Sequence, residues 1–251
     1  MIMPKKQVVR VQPTTASQAG EPTWKPTAEA KQQATTFRII ALVLWALAIP
    51  GEAFAIFWVL KQSTVSLVLL IAAIVVIGVL AVVGSLLWKK ANLLDPASRS
   101  EPVRFFIQNQ LGAILAIIAF LPLIAMIFMN KNMNSQHKAI AGAIGIGALV
   151  VATLMGASFN PPSVEQYTEE SNVVIGYTGQ NLVFWTKLGN VYHLCQGASD
   201  IQRESKDNTI YSGTVADAHA AGKERLTLKV DEELKQCGIS TPPVPSPTSG
   251  R

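Results

Sequence analysis

The sequence predicts an α-helical membrane bundle of four transmembrane helices joined to a small α+β soluble carboxyl-terminal domain. Three observations carry that expectation. Apolar runs fill residues 39–60, 65–88, 105–129 and 139–156, and about 20 residues rising 1.5 Å each cover the roughly 30 Å of a bilayer's hydrocarbon. Charged residues are only 15% of the chain, against roughly 25% in soluble proteins, and nearly all lie outside the runs. Beyond residue 156 the pattern changes to short segments separated by Gly, Asn and Pro, as in a mixed domain.

Residues 1–36 are rich in Thr, Gln, Ala, Pro and Lys and bury too little apolar surface to offset chain entropy, so they are expected to be a disordered tail. Residues 8–11 have strand character but no evident partner nearby. The Pro/Ser-rich end, 240–251, is expected to be disordered as well. Between the tails lie a transmembrane domain, 37–158, and an α+β domain, 159–239. The first run follows a long polar stretch and exceeds the apolar length of a signal peptide, so it reads as a retained span. Short loops at 61–64 and 130–138 make antiparallel neighbours of the first and last pairs of spans. Residues 89–104 form a longer polar connection containing Asp95-Pro96. Trp58 and Trp88 fall near span ends, where indole favours the interface.

Orientation follows from flanking cations. Lys25, Lys31 and Arg38 precede the first span, and Lys89, Lys90, Arg99 and Arg104 occupy the central connection. The two short loops hold only Lys61, Lys131 and Lys138. This bias favours cytoplasmic termini in a multi-pass protein of the cell (plasma) membrane. The stretch after the fourth span is opposite in character, with Glu165, Glu169 and Glu170 and no Lys or Arg.

Pro161 and Pro162 end the fourth span. Ser163 with Gln166 reads as a capping box opening a helix. Residues 182–186 and 191–195 read as a hairpin around Gly189 and Asn190, and 209–212 as a third strand. Residues 214–222 and 231–237 read as helices stopped by Gly222 and Gly238.

Glu52 is the sharpest candidate. A carboxyl inside a span costs a few kcal/mol, so a reason for it is expected. No Lys, Arg or His lies at matching depth in the other spans, so the neutral form is expected. Pro50 precedes it, and Pro122 in the third span cannot donate to the carbonyl of Ile118. Glu52 is expected to donate there, so that Glu52→Gln keeps stability and Glu52→Leu loses it. Ala141, Gly145, Ala148 and Ala152 form a small-residue face on the fourth span, suited to close helix packing within the bundle or in a homo-oligomer. Gln108, Asn109 and Gln110 read as interfacial polar residues with no further role.

The second candidate is the segment Trp185-Thr-Lys-Leu-Gly-Asn-Val-Tyr-His-Leu-Cys195. Strand alternation points His193 and Cys195 to one side, and Cys237 closes the last helix. These are the chain's two cysteines. Free thiols, a disulfide and a zinc set completed by Asp200 or His219 all remain open. Unpaired thiols are the default, and a disulfide requires an oxidising compartment. No cofactor other than such a zinc is indicated.

Several stretches carry a resemblance: Gly84-Ser-Leu-Leu-Trp-Lys-Lys-Ala-Asn-Leu-Leu-Asp-Pro-Ala-Ser98, Phe105-Phe-Ile-Gln-Asn-Gln-Leu-Gly-Ala113, Ala119-Phe-Leu-Pro122 and Asn160-Pro-Pro162. Over most of 37–237 the chain resembles an uncharacterised, actinobacterial-type family of four-span bacterial membrane proteins, which implies no known activity. Its carboxyl-terminal part is similar to a Thr-Lys-x-Gly-x-x-Tyr-His module followed by Cys, Gly-Thr, an Ala-rich helix and a closing Cys-x-x-Cys. Thr186, Lys187, Gly189, Tyr192, His193, Cys195, Gly213, Thr214 and Cys237 fit that pattern. The closing pair here is Leu234-Lys-Gln-Cys237, with one Cys only.

No phosphate-cradling glycine loop, nucleophile elbow or HExxH pattern occurs. The net charge of +5 is not gathered into a basic stripe with aromatics, which argues against nucleic acid as a partner. The expectation is a non-enzymatic membrane scaffold, adaptor or sensor whose carboxyl-terminal domain binds a protein partner. The alternative is a small transporter or channel component using Glu52. The lipid bilayer is the certain surrounding of either.

Overall fold

The structure, a computed structural model, describes residues 6–10, 24–26 and 28–239. The chain divides into two compact units. One comprises residues 31–161, and the other combines residues up to 30 with 162 onward.

The first unit holds four helices long and apolar enough to cross a membrane. Helix α1 (Ala28–Phe54) starts well ahead of its apolar run, because 28–33 are mostly Ala, Glu, Lys and Gln, all good helix formers. It contains Pro50 and ends in a π turn, Ala55–Val59, closed by Leu60 N–H to Ala55 O at 3.0 Å. Helix α2 (Leu67–Leu94) is capped by Ser66. Helix α3 (Pro102–Met129) opens on a proline, where a missing N–H costs nothing, and carries Pro122 inside. Helix α4 (Ser135–Gly156) is capped by Asn134, whose side chain accepts from His137 N–H. Large apolar side chains such as Val68, Phe106 and Leu121 point outward, away from the core formed by Leu70, Ile74, Phe120, Leu123 and Ile127. Helices apolar on both their inner and outer faces belong in lipid, so the chain is a multi-pass membrane protein.

Helices α3 and α4 come into backbone contact at Gly112 and Gly156. A Cβ on Gly156 would lie 2.5 Å from the Gly112 carbonyl carbon. Ala141, Gly145 and Ala152 are buried and Ala148 is half-buried, with Gly145 against Ile124. Gly142 and Gly156 extend this face.

The second unit is the α+β domain. Strand β1 (Gln7–Arg10) runs parallel to β4 (Thr209–Gly213), which pairs antiparallel with β2 (Val183–Trp185). Strand β3 (Val191–Tyr192) lies parallel to β5 (Arg225–Leu226) and joins β2 through one bridge, Phe184 to His193. Helices α5 (Val164–Thr178), α6 (Ser199–Glu204), α7 (Val215–Ala220) and α8 (Val230–Gln236) complete it. Val174, Val183, Trp185, Tyr192, Val215 and Leu234 form its core. Gly179, Gly222 and Gly238 follow α5, α7 and α8 with positive φ, the conformation that lets a helix end sharply.

Three expectations are corrected. Part of the amino-terminal tail is ordered: β1 finds its partner some two hundred residues away, Trp24 packs edge-on to Tyr167, and α1 begins at Ala28. Composition shows only what a segment buries by itself, so a strand completed by a distant edge escapes it. The rest of that tail (1–5, 11–23 and 27) and the end at 240–251 lie outside the described residues. The hairpin at 182–195 is shorter than expected, because β3 takes β5 as its main neighbour. Ser163 does cap α5, but Gln166 bonds Glu170 instead of closing the box. A complete box occurs at Thr214 and Asp217 on α7.

Candidate functional site

In the membrane unit, Glu52 is buried, 6% exposed, and its Oε1 has no hydrogen-bond partner. Its carboxyl lies against the backbone of Leu123, the residue after Pro122. The expected acceptor, the Ile118 carbonyl, is not its neighbour. The backbone group it meets is five residues further along α3, at Leu123, since depth counted from the apolar runs does not fix which residues of two helices face each other. Pro50 and Pro122 both sit within helices, and of the two Pro122 stands beside the acid.

A polar network ties the α2 end to the start of α3. Trp88 and Asn92 both donate to Gln108 O, at 2.7 and 2.8 Å, and Gln108 Nε2 donates to Asp95 O at 3.0 Å. Arg38 of α1 binds the Asp95 carboxylate at 2.6 Å and its carbonyl at 2.8 Å. Gln110 donates to Ser158 O at 2.9 Å. Gln108 and Gln110 therefore fasten helices together instead of merely decorating an interface. Asn109 donates to Phe105 O within its own helix.

In the soluble unit, two residues of the Thr-Lys-x-Gly-x-x-Tyr-His segment, Gly189 and His193, lie against one acid, Glu204 of α6. A Cβ on Gly189 would fall 2.5 Å from Glu204 Oε2 and 2.7 Å from Thr186 Oγ1, so a side chain there would have to displace that carboxylate. Thr186 Oγ1 accepts from Gly189 N–H at 3.0 Å, and Lys223 donates to the carbonyls of Lys187 and Gly189. Burial pushes the Lys223 ammonium below its ordinary value, partly countered by Glu204. His193 is 1% exposed; its Nδ1 bonds Glu233 of α8, which also accepts from Leu194 N–H at 2.9 Å. Its Nε2 stands 3.6 Å from Glu204 Oε2, and neither atom has a closer partner. Two carboxylates from two helices thus bracket one buried imidazole.

Sequence reasoning missed a second cluster. Glu170 of α5 accepts from Tyr192 Oη at 2.7 Å and from Gln166 Nε2 at 2.9 Å, and meets Nε2 of His219 on α7. Tyr167 stacks on His219 with ring centroids 4.4 Å apart. Burial alone would raise the Glu170 carboxyl, but the His219, Gln166 and Tyr192 hydrogen bonds hold it below its ordinary value. Burial, and then the Glu170 charge, push the Tyr167 and Tyr192 hydroxyls upward. The available signal was the i, i+3 placement of Tyr167 and Glu170 on one helix face; that it would receive His219 depends on the fold.

Cys195 and Cys237 form a disulfide with Cα atoms 6.2 Å apart. This corrects the default of free thiols and removes both as zinc ligands. The other suggested ligands are engaged elsewhere, Asp200 with Lys229 and Arg203, and His219 with Glu170. Among the described residues no group of three or more His, Cys, Asp or Glu side chains could hold a metal ion.

Compared with known protein families, curated proteins and solved structures, the chain shows no significant match.

Proposed function

We propose that this is a non-enzymatic membrane scaffold, adaptor or sensor of a bacterial cell (plasma) membrane, and that its α+β domain binds a protein partner. The observation that carries this reading is the way the domain is assembled. A strand preceding the first span, a disulfide and two buried His–carboxylate clusters shape about eighty residues into a defined surface, on which Leu188 and Leu228 stand 77% and 78% exposed. The four spans offer little polar chemistry besides Glu52 and the network at one end.

Both termini are assigned to the cytoplasmic face, because the cations flanking the spans concentrate on that side. The Cys195–Cys237 bridge is the observation against that side: facing a reducing cytosol it is a redox-responsive clasp, whereas facing an oxidising compartment it is structural. Thiol labelling of intact and opened cells, with and without prior reduction, tests both points. Labelling confined to opened cells supports the assignment. Labelling in intact cells after an impermeant reductant would move the domain outside and make the bridge structural. Site-specific photocrosslinking from positions 188 and 228 of the full-length protein tests partner binding. A discrete adduct lost in Leu188→Asp and Leu228→Asp supports the reading, and the absence of any adduct at either position overturns it.

A second reading, a small transporter or channel component, is favoured by the unpartnered Oε1 of Glu52. Proton or ion flux into liposomes that falls in Glu52→Gln would select it.

A further inference from the structure

Of the features not absorbed above, the groove at the polar end of the spans carries the most. It has a volume of about 770 Å³ and is lined by Arg38, Trp88, Val103, Arg104, Ile107 and Leu111. Its floor and walls are mostly apolar. Val103 and Ile107 are 71% and 47% exposed, so the face is uncovered within the chain. Its mouth is cationic: Arg104 is at one side, and Arg38 lies over the Trp88 ring at 5.9 Å. The last turns of α2, just beyond Trp88, add Lys89 and Lys90, the latter with its Nζ 5.1 Å from the Phe37 ring. Against these stand two carboxylates. Asp95 is bound to Arg38, and Glu101 pairs with Arg104 at 3.0 Å in an exposed ion pair, a weak kind of contact that a phosphate can replace.

Helix α3 begins at this mouth. Glu101 at its N-cap makes no side-chain cap, so the amides of the first turn have no side-chain acceptor there and the positive end of a 28-residue helix faces whatever enters. A slot that is apolar along the spans and cationic where they leave the hydrocarbon matches one kind of molecule available in a bilayer.

We propose that this groove seats one anionic phospholipid, with an acyl chain along Trp88, Ile107 and Leu111 and its phosphate at Arg104 and the first turn of α3. Charge complementarity decides between headgroups. The excess of cations favours a lipid of net negative charge over a zwitterionic one that shares the phosphate. The bound lipid extends the surface that α1, α2 and α3 present at this end and replaces the Glu101–Arg104 pair with an Arg104–phosphate pair.

The test is native mass spectrometry of the full-length protein in detergent, titrated with phosphatidylglycerol, phosphatidylcholine or inorganic phosphate. Phosphatidylglycerol should be retained roughly fivefold better than phosphatidylcholine, the effect of about one cation near an anionic headgroup. Arg104→Gln should abolish that preference. Ile107→Trp, at a half-exposed position whose change leaves the core intact, should block both lipids. Quenching by lipid with brominated chains should fall in Trp88→Phe, which places the chain. Equal retention of the two lipids, or undiminished retention in Ile107→Trp, overturns the proposal. So does displacement of phosphatidylglycerol by inorganic phosphate alone, which would make the site one for a free anion.

Discussion

Reduction of the Cys195–Cys237 bridge should loosen a defined part of the soluble domain. The two residues are 42 apart in sequence, and closing a loop of that size removes unfolded-state entropy worth roughly 4 kcal/mol at room temperature. Since every 1.4 kcal/mol or so is tenfold, opening of the enclosed segment should rise several-hundredfold. The loop contains α6, β4, α7, β5 and α8, so the effect should fall on Thr209–Gly213 and on α7. The α5 helix lies outside it and should respond less. Hydrogen exchange followed by mass spectrometry on the full-length protein, oxidised and reduced, reads this directly, and a Cys195→Ser, Cys237→Ser variant should match the reduced form. If amides of Thr209–Gly213 exchange within threefold of one another in the two states, the bridge does not limit opening and the reasoning fails. Its value as a redox-responsive clasp would fall with it.

Gly156→Val should cost about 1–3 kcal/mol or more in detergent melts, because its Cβ meets backbone that cannot rotate away; Gly147→Ala, with nothing within 4 Å, should be neutral. Glu170, held below its ordinary 4.5, contributes stability that is present above pH 4.5 and is lost as pH falls through its lower folded value. Trp fluorescence between pH 6 and 3 should therefore show an acid transition that flattens in Glu170→Gln. Deleting residues 1–10 should expose the β4 edge and speed exchange at Thr209–Gly213, leaving α2 to α4 unchanged. Glu52→Leu should match or exceed the wild type in thermal stability, since an oxygen without a partner is removed from the bundle. A loss of 2 kcal/mol or more, by the usual cost of breaking a satisfied buried group, would restore a structural role for the acid.

What could be read from the sequence was whatever declares itself over a few turns. Four runs of apolar residues specify spans whatever they touch, and the helix stops at Gly222 and Gly238 follow from local backbone chemistry. The small face on α4 was visible by its spacing, although its tightest point, Gly156 against Gly112, needed a second helix to define it. Strand character at residues 8–11 was legible, but the pairing of β1, Gln7-Val-Val-Arg10, was not, because so short a segment names no partner until β4 supplies an edge. The same limit hid the Glu170–His219 cluster and the Cys195–Cys237 pairing, each joining elements about forty to fifty residues apart.

Glu52 shows how the two kinds of information combine. Sequence alone says the acid is costly where it stands, and it invites a search for a partner that offsets the cost. The fold supplies the packing and the Leu123 backbone but no hydrogen bond for Oε1, and Ser85 Oγ, Asn92 Oδ1 and Thr153 Oγ1 are likewise buried without a partner in the same unit. A buried carboxyl with one oxygen unpartnered and the Leu123 backbone beside it has two candidate causes, a fold that tolerates its cost or a function that uses it. Comparing stability with flux in the same Glu52 variants separates those two causes.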